Sequence, residues 1–169
     1  KNHITFRYGV IATGAKPVTL SIEGEEHIAT SSEFLDLERL PPRIIFIGGG
    51  FVSFEFAHFA ARLGGKPGAV HILEAGSRPL KPFDSDMVEQ LVEASRAEGI
   101  EIHTEVNISG IRKVDSGYQV LFQSGDKLEA DLVVNGAGRM PDIDALQLEA
   151  AGVKIGKGGI VVDSSMKTT

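Results

Sequence analysis

The 169-residue chain contains no cysteine. A disulfide, a thiolate metal site and a cysteine nucleophile are therefore excluded within it. It also lacks a basic run: 17 lysines and arginines stand against 23 aspartates and glutamates, and the net charge of −6 argues against a nucleic-acid surface. No apolar stretch reaches the roughly 20 residues that span a bilayer, and no signal peptide is visible. The five histidines (His3, His27, His58, His71 and His103) stand without ligand spacing, so no metal is expected. The first residue is Lys1 rather than methionine, which suggests a cropped chain or an internal fragment.

What is present is an ordinary globular composition, with a length suited to one domain and twenty glycines to make its turns. The organising stretch is Ile44-Ile45-Phe46-Ile47-Gly48-Gly49-Gly50-Phe51-Val52-Ser53-Phe54-Glu55. Ile44 to Ile47 is a continuous apolar run, as a strand covered on both faces requires. From Val52 the apolar positions Val52, Phe56, Phe59, Ala60 and Leu63 recur at helical spacing, and Gly64 is placed to end that helix. A strand feeding a helix through glycines is a dinucleotide-binding turn. Gly48 permits the tight turn, Gly50 lets the backbone approach a pyrophosphate, and the helix start presents free N–H groups. The third glycine of the pattern is replaced by Ser53, which is still small. Such a turn binds a dinucleotide only in the right context. That context follows in Ala69-Val70-His71-Ile72-Leu73-Glu74, a second strand closed by the acidic residue that would take the ribose hydroxyls. Glu74 lies 26 residues after Gly48, and a slightly enlarged loop at Gly64-Gly65-Lys66-Pro67-Gly68 accounts for the length.

Along the chain, Tyr8 to Ala12 reads as a strand that runs into a turn before Pro17. Ser31 or Ser32 is placed to cap a short helix through Leu40, stopped by Pro41-Pro42. Asp84 or Ser85 caps the next helix, whose inner face is Met87, Val88, Leu91, Val92 and Ser95, and Gly99 ends it. Ile100 to Thr104 is a third strand. Val106 to Val114, Tyr118 to Gln123 and Lys127 to Ala130 form a meander, and Leu132 to Val134 returns as a buried parallel strand. After Pro141 a helical or turn region precedes a strand around Ile160 to Asp163. The fold class is α/β: a Rossmann-like parallel sheet with an antiparallel β-meander before its last parallel strand. Ligands in such sheets sit beyond the carboxyl ends of the strands, where Gly48 to Ser53, Glu74, Val106 and Gly138 all fall.

Together these segments resemble the NAD(P)-binding domain of the FAD-dependent pyridine nucleotide-disulfide oxidoreductases. The resemblance rests on Ala12-Thr13-Gly14-Ala15-Lys16-Pro17, on Ile47 to Glu55, on Glu74, and on Gly138-Arg139-Met140-Pro141-Asp142 with Leu148 to Val153. It implies a crossing segment from a flavin domain (1–40), an NAD(P)-binding domain (41–145) and a return segment (146–169). It also implies that a flavin motif and a redox cysteine pair precede Lys1, that a dimerisation domain follows Thr169, and that the parent is a cytoplasmic homodimer. The implied dinucleotide contacts are Gly48, Gly49, Gly50, Phe51, Val52, Ser53, Glu55, Glu74, Val106 and Gly138. Phe51 stands where many members carry a tyrosine over the flavin, although a core aromatic would read the same way. Glu55 resembles a glutamate that pairs with a flavin-side lysine.

Glu74 repels a 2′-phosphate and favours NADH over NADPH, while Arg78 and Lys81 in the following loop leave NADPH open. The expected role is to present the nicotinamide for hydride transfer to FAD. Nothing in the chain supplies a nucleophile or an acid–base pair, so the segment alone should not turn over substrate. Two other readings remain: a domain of an NADH oxidase or ferredoxin-reductase type of flavoprotein, and a non-catalytic nucleotide-binding module.

Overall fold

The computed structural model describes residues 4–64 and 68–168, in two units, Pro17–Gly138 and Lys1–Lys16 with Arg139–Thr169. The elements in chain order are β1 (Ala15–Pro17), α1 (Ser31–Leu35), β2 (Ile44–Ile47), α2 (Phe51–Arg62), β3 (Val70–Leu73), α3 (Ser85–Ala97), β4 (Ile100–His103), β5 (Ile108–Val114), β6 (Gly117–Phe122), β7 (Lys127–Ala130), β8 (Leu132–Asn135), β9 (Arg139–Pro141), β10 (Ile155–Gly156) and β11 (Gly159–Ile160).

In the unit Pro17–Gly138 a parallel sheet has the order β4-β3-β2-β8. The first strand is thus central, and the crossover to β8 reverses the direction of sheet growth beside it. That reversal creates a crevice at the carboxyl ends of β2 and β8. Alternation then sorts the strand residues between two faces. Ile44, Phe46, Val70, Ile72, Ile100 and Ile102 pack with Phe54, Ala57 and Ala60 of α2 and Val88 of α3. Ile45, Ile47, Leu73 and Val133 pack on the opposite side with Ile111, Val120 and Ala130 of the antiparallel sheet β5-β6-β7. The layers are helices, parallel sheet and meander, and all four residues of β2 are buried between them. Burying one such isoleucine or phenylalanine contributes about 1.5–3 kcal/mol, so β2 is the anchor of the unit.

Local chemistry fixes the element ends. The Asp84 side chain accepts from the Asp86 and Met87 amides at 3.0 and 3.2 Å and starts α3. Thr30 and Glu33 form a reciprocal capping box that starts α1. Phe34 of that helix stacks on Phe56, with ring centroids 4.7 Å apart. Arg43, just before β2, ties the sheet to the meander. Its guanidinium donates to Asp131 (Nη2–Oδ1 2.6 Å, Nε–Oδ1 3.1 Å), Glu129 (3.1 Å) and the Ser116 carbonyl (2.7 Å). The paired guanidinium holds the Asp131 carboxyl below the usual carboxylate range.

In the other unit β1 pairs with β9, and β10 with β11 as a short hairpin. The Arg139 guanidinium donates to the Ala15 carbonyl, and Lys16 pairs with Asp144 and with Asp142. Two single turns of 3-10 helix, Asp144–Leu146 and Leu148–Ala151, lie between β9 and β10. Among the described residues no helix is long and apolar enough to cross a membrane.

Several expectations need correction. No strand forms over Tyr8 to Ala12, where Tyr8 and Val10 are 81% and 92% exposed. A strand needs a hydrogen-bonding neighbour, and none of the described strands lies beside this stretch. α1 begins at Ser31 behind Thr30, not behind either serine, and ends at Leu35 rather than Leu40. Phe59 of α2, Leu63 just after it, and Met87 and Leu91 of α3 are exposed rather than turned inward. β5 starts at Ile108, leaving Val106 in the preceding loop, and the strand expected around Ile160 to Asp163 is the short β11. Most of the enlarged loop after Gly64, residues 65–67, lies outside the described residues.

Candidate functional site

The site begins where β2 ends. The Gly48 amide donates to the Leu73 carbonyl at 2.7 Å, and the Gly136 amide donates to the Ile47 carbonyl at 2.7 Å, so both neighbouring strands grip the turn. Gly48 takes φ 98°, and a Cβ there would lie 2.5 Å from Ala137 Cα. Both constraints require glycine. Gly49 is buried, and its carbonyl accepts from the Leu80 amide at 2.8 Å. Gly50 is the N-cap of α2 and offers no side chain to the helix start. The first-turn N–H groups of a helix have no intrahelical acceptor, and the positive end of its dipole lies there. The mouth is therefore suited to an anion.

Glu74 follows β3 directly and turns back to this loop. Its Oε2 accepts from the Gly49 amide at 2.8 Å, and its Oε1 accepts from the Gly76 amide at 2.7 Å. Lys81 Nζ stands 3.8 Å from Oε1, and the Glu74 side chain is only 16% exposed. The carboxylate thus links the glycine turn, the strand end and the 75–83 loop. Arg78 donates instead to the Phe83 and Lys81 carbonyls at 3.1 and 2.9 Å, so its guanidinium is committed to shaping that loop. Val106 is held beside the acidic strand end by donating to the Glu74 carbonyl at 3.0 Å.

A cavity of about 460 Å³ opens over this assembly, lined by Gly48, Gly49, Gly50, Glu74, Lys81 and the run from Gly136 to Gly138. A second, of about 340 Å³, shares Gly48, Glu74 and Ala137 and adds Leu20, Ile22 and Val106. Both lie at the carboxyl edge of the sheet, where Gly48, Glu74 and Ala137 line each of them. The geometry thus offers backbone donors and an acidic group at the first cavity, and an apolar wall of Leu20, Ile22 and Val106 at the second.

Of the residues singled out from the sequence, Gly48, Gly49, Gly50, Phe51, Glu74 and Gly138 line the first cavity, and Val106 lines the second. Val52 is half-buried and packs toward the helix-side core. Ser53 is fully buried, and its Oγ has no hydrogen-bond partner among the described residues. Glu55 is exposed on α2 and lines neither cavity. Phe51 is 61% exposed, so it is not a core aromatic. Gly136, Ala137 and Asn135 were not singled out. The Asn135 side chain accepts from the Ala137 amide at 3.1 Å and donates to the Val18 carbonyl at 2.9 Å, which shapes the second wall of the mouth. The signal for it was a second strand-to-glycine junction, Asn135-Gly136-Ala137-Gly138, parallel to the first.

Comparison with known proteins agrees with this architecture. The model of the pyridine nucleotide-disulphide oxidoreductase family matches residues 1–169. Trypanothione reductase of Trypanosoma congolense is 36% identical over 99% of the chain, which covers 35% of that protein. Glutathione reductase of Burkholderia cepacia is 32% identical over 98% of the chain, covering 36% of that protein. The solved structure of the HOCl-induced flavoprotein disulfide reductase RclA from Escherichia coli superposes with a TM-score of 0.85 at 31% identity, over 94% of this chain and 36% of that one. The chain thus spans about a third of the length of the relatives it matches. Crevice, glycine turn, acidic strand end and full-length match lead to one conclusion: the chain belongs to the pyridine nucleotide-disulphide oxidoreductase family.

Proposed function

We propose that the chain binds a nicotinamide dinucleotide along the carboxyl edge of its parallel sheet. The observation that carries the proposal is the hydrogen bond from the Gly49 amide to Glu74 Oε2, 2.8 Å long, which holds the acidic strand end against a glycine turn whose helix no side chain caps. A diphosphate bridge would take the first amides of α2 beside Gly50. Glu74 would take the adenosine ribose hydroxyls on the free lone pairs of its carboxylate, and the apolar wall of Leu20, Ile22 and Val106 would face the adenine. The residues fit the group, because a Cβ at Gly50 would meet nothing nearer than the Gly136 carbonyl at 3.4 Å and a Cβ at Gly138 would meet nothing within 4 Å.

NADH is the favoured form. Glu74 repels a 2′-phosphate, and Arg78 spends its donors on loop carbonyls. Lys81, 3.8 Å from Glu74 Oε1, is a loop cation near enough to soften that preference. In a longer flavoprotein a nicotinamide held here would supply hydride chemistry toward FAD, with a disulfide as the electron acceptor. This chain's part is to bind and orient. Residues 1–40 and 146–169 would carry the chain from and back to the flavin domain of a homodimeric parent, with Phe51 and Glu55 turned toward the flavin side.

The test is calorimetric titration of the chain with NADH and with NADPH. Saturable binding, tighter for NADH and weakened at least tenfold by Glu74→Ala, supports the reading. No saturable binding at millimolar nucleotide overturns it.

A further inference from the structure

His71 of β3 and His103 of β4 are 32 positions apart in sequence, yet His71 Nδ1 and His103 Nε2 lie 3.1 Å apart. The rings are tilted by 31° with centroids 5.4 Å apart. The parallel register puts Glu101 opposite His71 and His103 opposite Leu73. Alternation then places His71, Glu101 and His103 on one face of the sheet, the face that also carries Leu73 toward the meander. From this pair we propose a divalent-cation site in which His71 Nδ1 and His103 Nε2 chelate one borderline cation of the zinc class, with solvent completing its coordination.

The bite distance carries the inference. A cation about 2.0–2.1 Å from each imidazole nitrogen, with those nitrogens 3.1 Å apart, subtends about 98°. That angle falls between square-planar and tetrahedral values, and each metal–nitrogen bond would lie about 41° off the present N–N line, so the rings must turn out of their mutual hydrogen bond to ligate. Adjacent strands of the core sheet carry both rings, so much of the ordering is already done before a cation arrives. The charged groups acting on the pair are Glu101, which attracts a cation, and Arg96, whose guanidinium donates to the Ile102 carbonyl. Ligation by the facing nitrogens requires each ring in the tautomer protonated at its outer nitrogen, so the proton of the present hydrogen bond must leave the facing nitrogen. Among the described residues no three histidine, cysteine or acidic side chains converge on a metal. The site is therefore an open two-imidazole chelate, suited to moderate affinity and exchange rather than to a permanent structural ion.

The test is calorimetric titration of the full chain with zinc sulfate at pH 7.5, alongside His71→Ala and His103→Ala. His3, His27 and His58 remain in every variant and cancel as background. One equivalent should bind the unsubstituted chain, and each substitution alone should weaken that binding at least tenfold. Long-range nitrogen NMR of the unsubstituted chain reads the ligands directly, independently of how either variant folds. Zinc should shift His71 Nδ1 and His103 Nε2 together, saturating at one equivalent. Equal affinity in all three proteins, or zinc-induced shifts at other histidines only, would overturn the proposal. Neither outcome bears on nucleotide binding, which uses the carboxyl edge.

Discussion

The Ser53 hydroxyl fills the space in which a Cβ at Gly136 would stand. Ser53 occupies the first turn of α2, and Gly136 opens the turn after β8. The place of a packing glycine in the helix has been taken by a serine, and the backbone opposite is a glycine that makes room for it. The accommodation leaves the serine Oγ buried without a partner among the described residues.

Gly136→Ala should therefore destabilise the fold by about 1–3 kcal/mol, the usual cost of overpacking. Ser53→Ala should stabilise it by about 1 kcal/mol, because it removes an unsatisfied hydroxyl. Combining Gly136→Ala with Ser53→Gly should recover much of the loss, giving a coupling of about 1–2 kcal/mol in a double-mutant cycle. Urea denaturation of the unsubstituted chain, Gly136→Ala, Ser53→Gly, their double variant and Ser53→Ala measures these effects. Additive effects would show that the two positions do not share the space.

The glycine turn separates folding from binding. Gly48→Ala forces a side chain to φ 98° and against Ala137 Cα at 2.5 Å, so the chain should lose well over 2 kcal/mol of stability. Gly50→Ala has an ordinary φ of −84°, and its Cβ meets nothing nearer than the Gly136 carbonyl at 3.4 Å. It should fold with nearly unchanged stability, yet bind NADH at least tenfold more weakly, because the methyl stands where a diphosphate must approach. Paired thermal melts and calorimetry check this, and unaltered binding by Gly50→Ala would remove the diphosphate from that mouth.

Acid should weaken the fold in two stages. His58, His71 and His103 all have pKa values lowered below 6.5, chiefly by burial. The unfolded chain binds those protons first as pH falls. Stability is thus fully present above the unfolded value near 6.5 and is lost progressively below it, toward the folded values. The His58 Nδ1 atom is buried without a partner among the described residues, while Nε2 donates to Ser95 Oγ at 3.0 Å and that hydroxyl donates to the Leu91 carbonyl at 2.7 Å. Denaturant midpoints between pH 8 and pH 5 should fall, and His71→Gln should flatten the slope. The second stage belongs to Glu33 and Asp131, whose carboxyls are held low by hydrogen bonds from Thr30 and Arg43. Their contribution survives until pH drops below the unfolded carboxylate range.

Asp131→Asn should cost about 1–2 kcal/mol, since it weakens charge-assisted bonds to Arg43 without leaving a cavity. Arg43→Ala should cost a similar amount and also loosen the meander, because the same guanidinium reaches Glu129 and the Ser116 carbonyl. Hydrogen exchange in β7 and at the β6 start reads that loosening, and unchanged protection there would show that Arg43 does not tie the meander to the sheet.

The sequence alone was sufficient for the strand-turn-helix at Ile44 to Glu55, the acidic end at Glu74 and the parallel sheet with its antiparallel excursion. Each is a local or periodic property: buried strands are continuous apolar runs, tight turns need glycine, and a meander needs regularly spaced turn residues. The ends of α1, the exposed aromatic side of α2 and the unpaired Tyr8 to Ala12 stretch were not legible, because caps, burial and strand pairing depend on what lies alongside. The tertiary structure alone brought Glu74 onto the Gly49 amide, Ser53 against Gly136 and His71 onto His103. Such contacts join residues that only strand order and register make neighbours, and register is set by packing summed over the whole sheet rather than by any one segment.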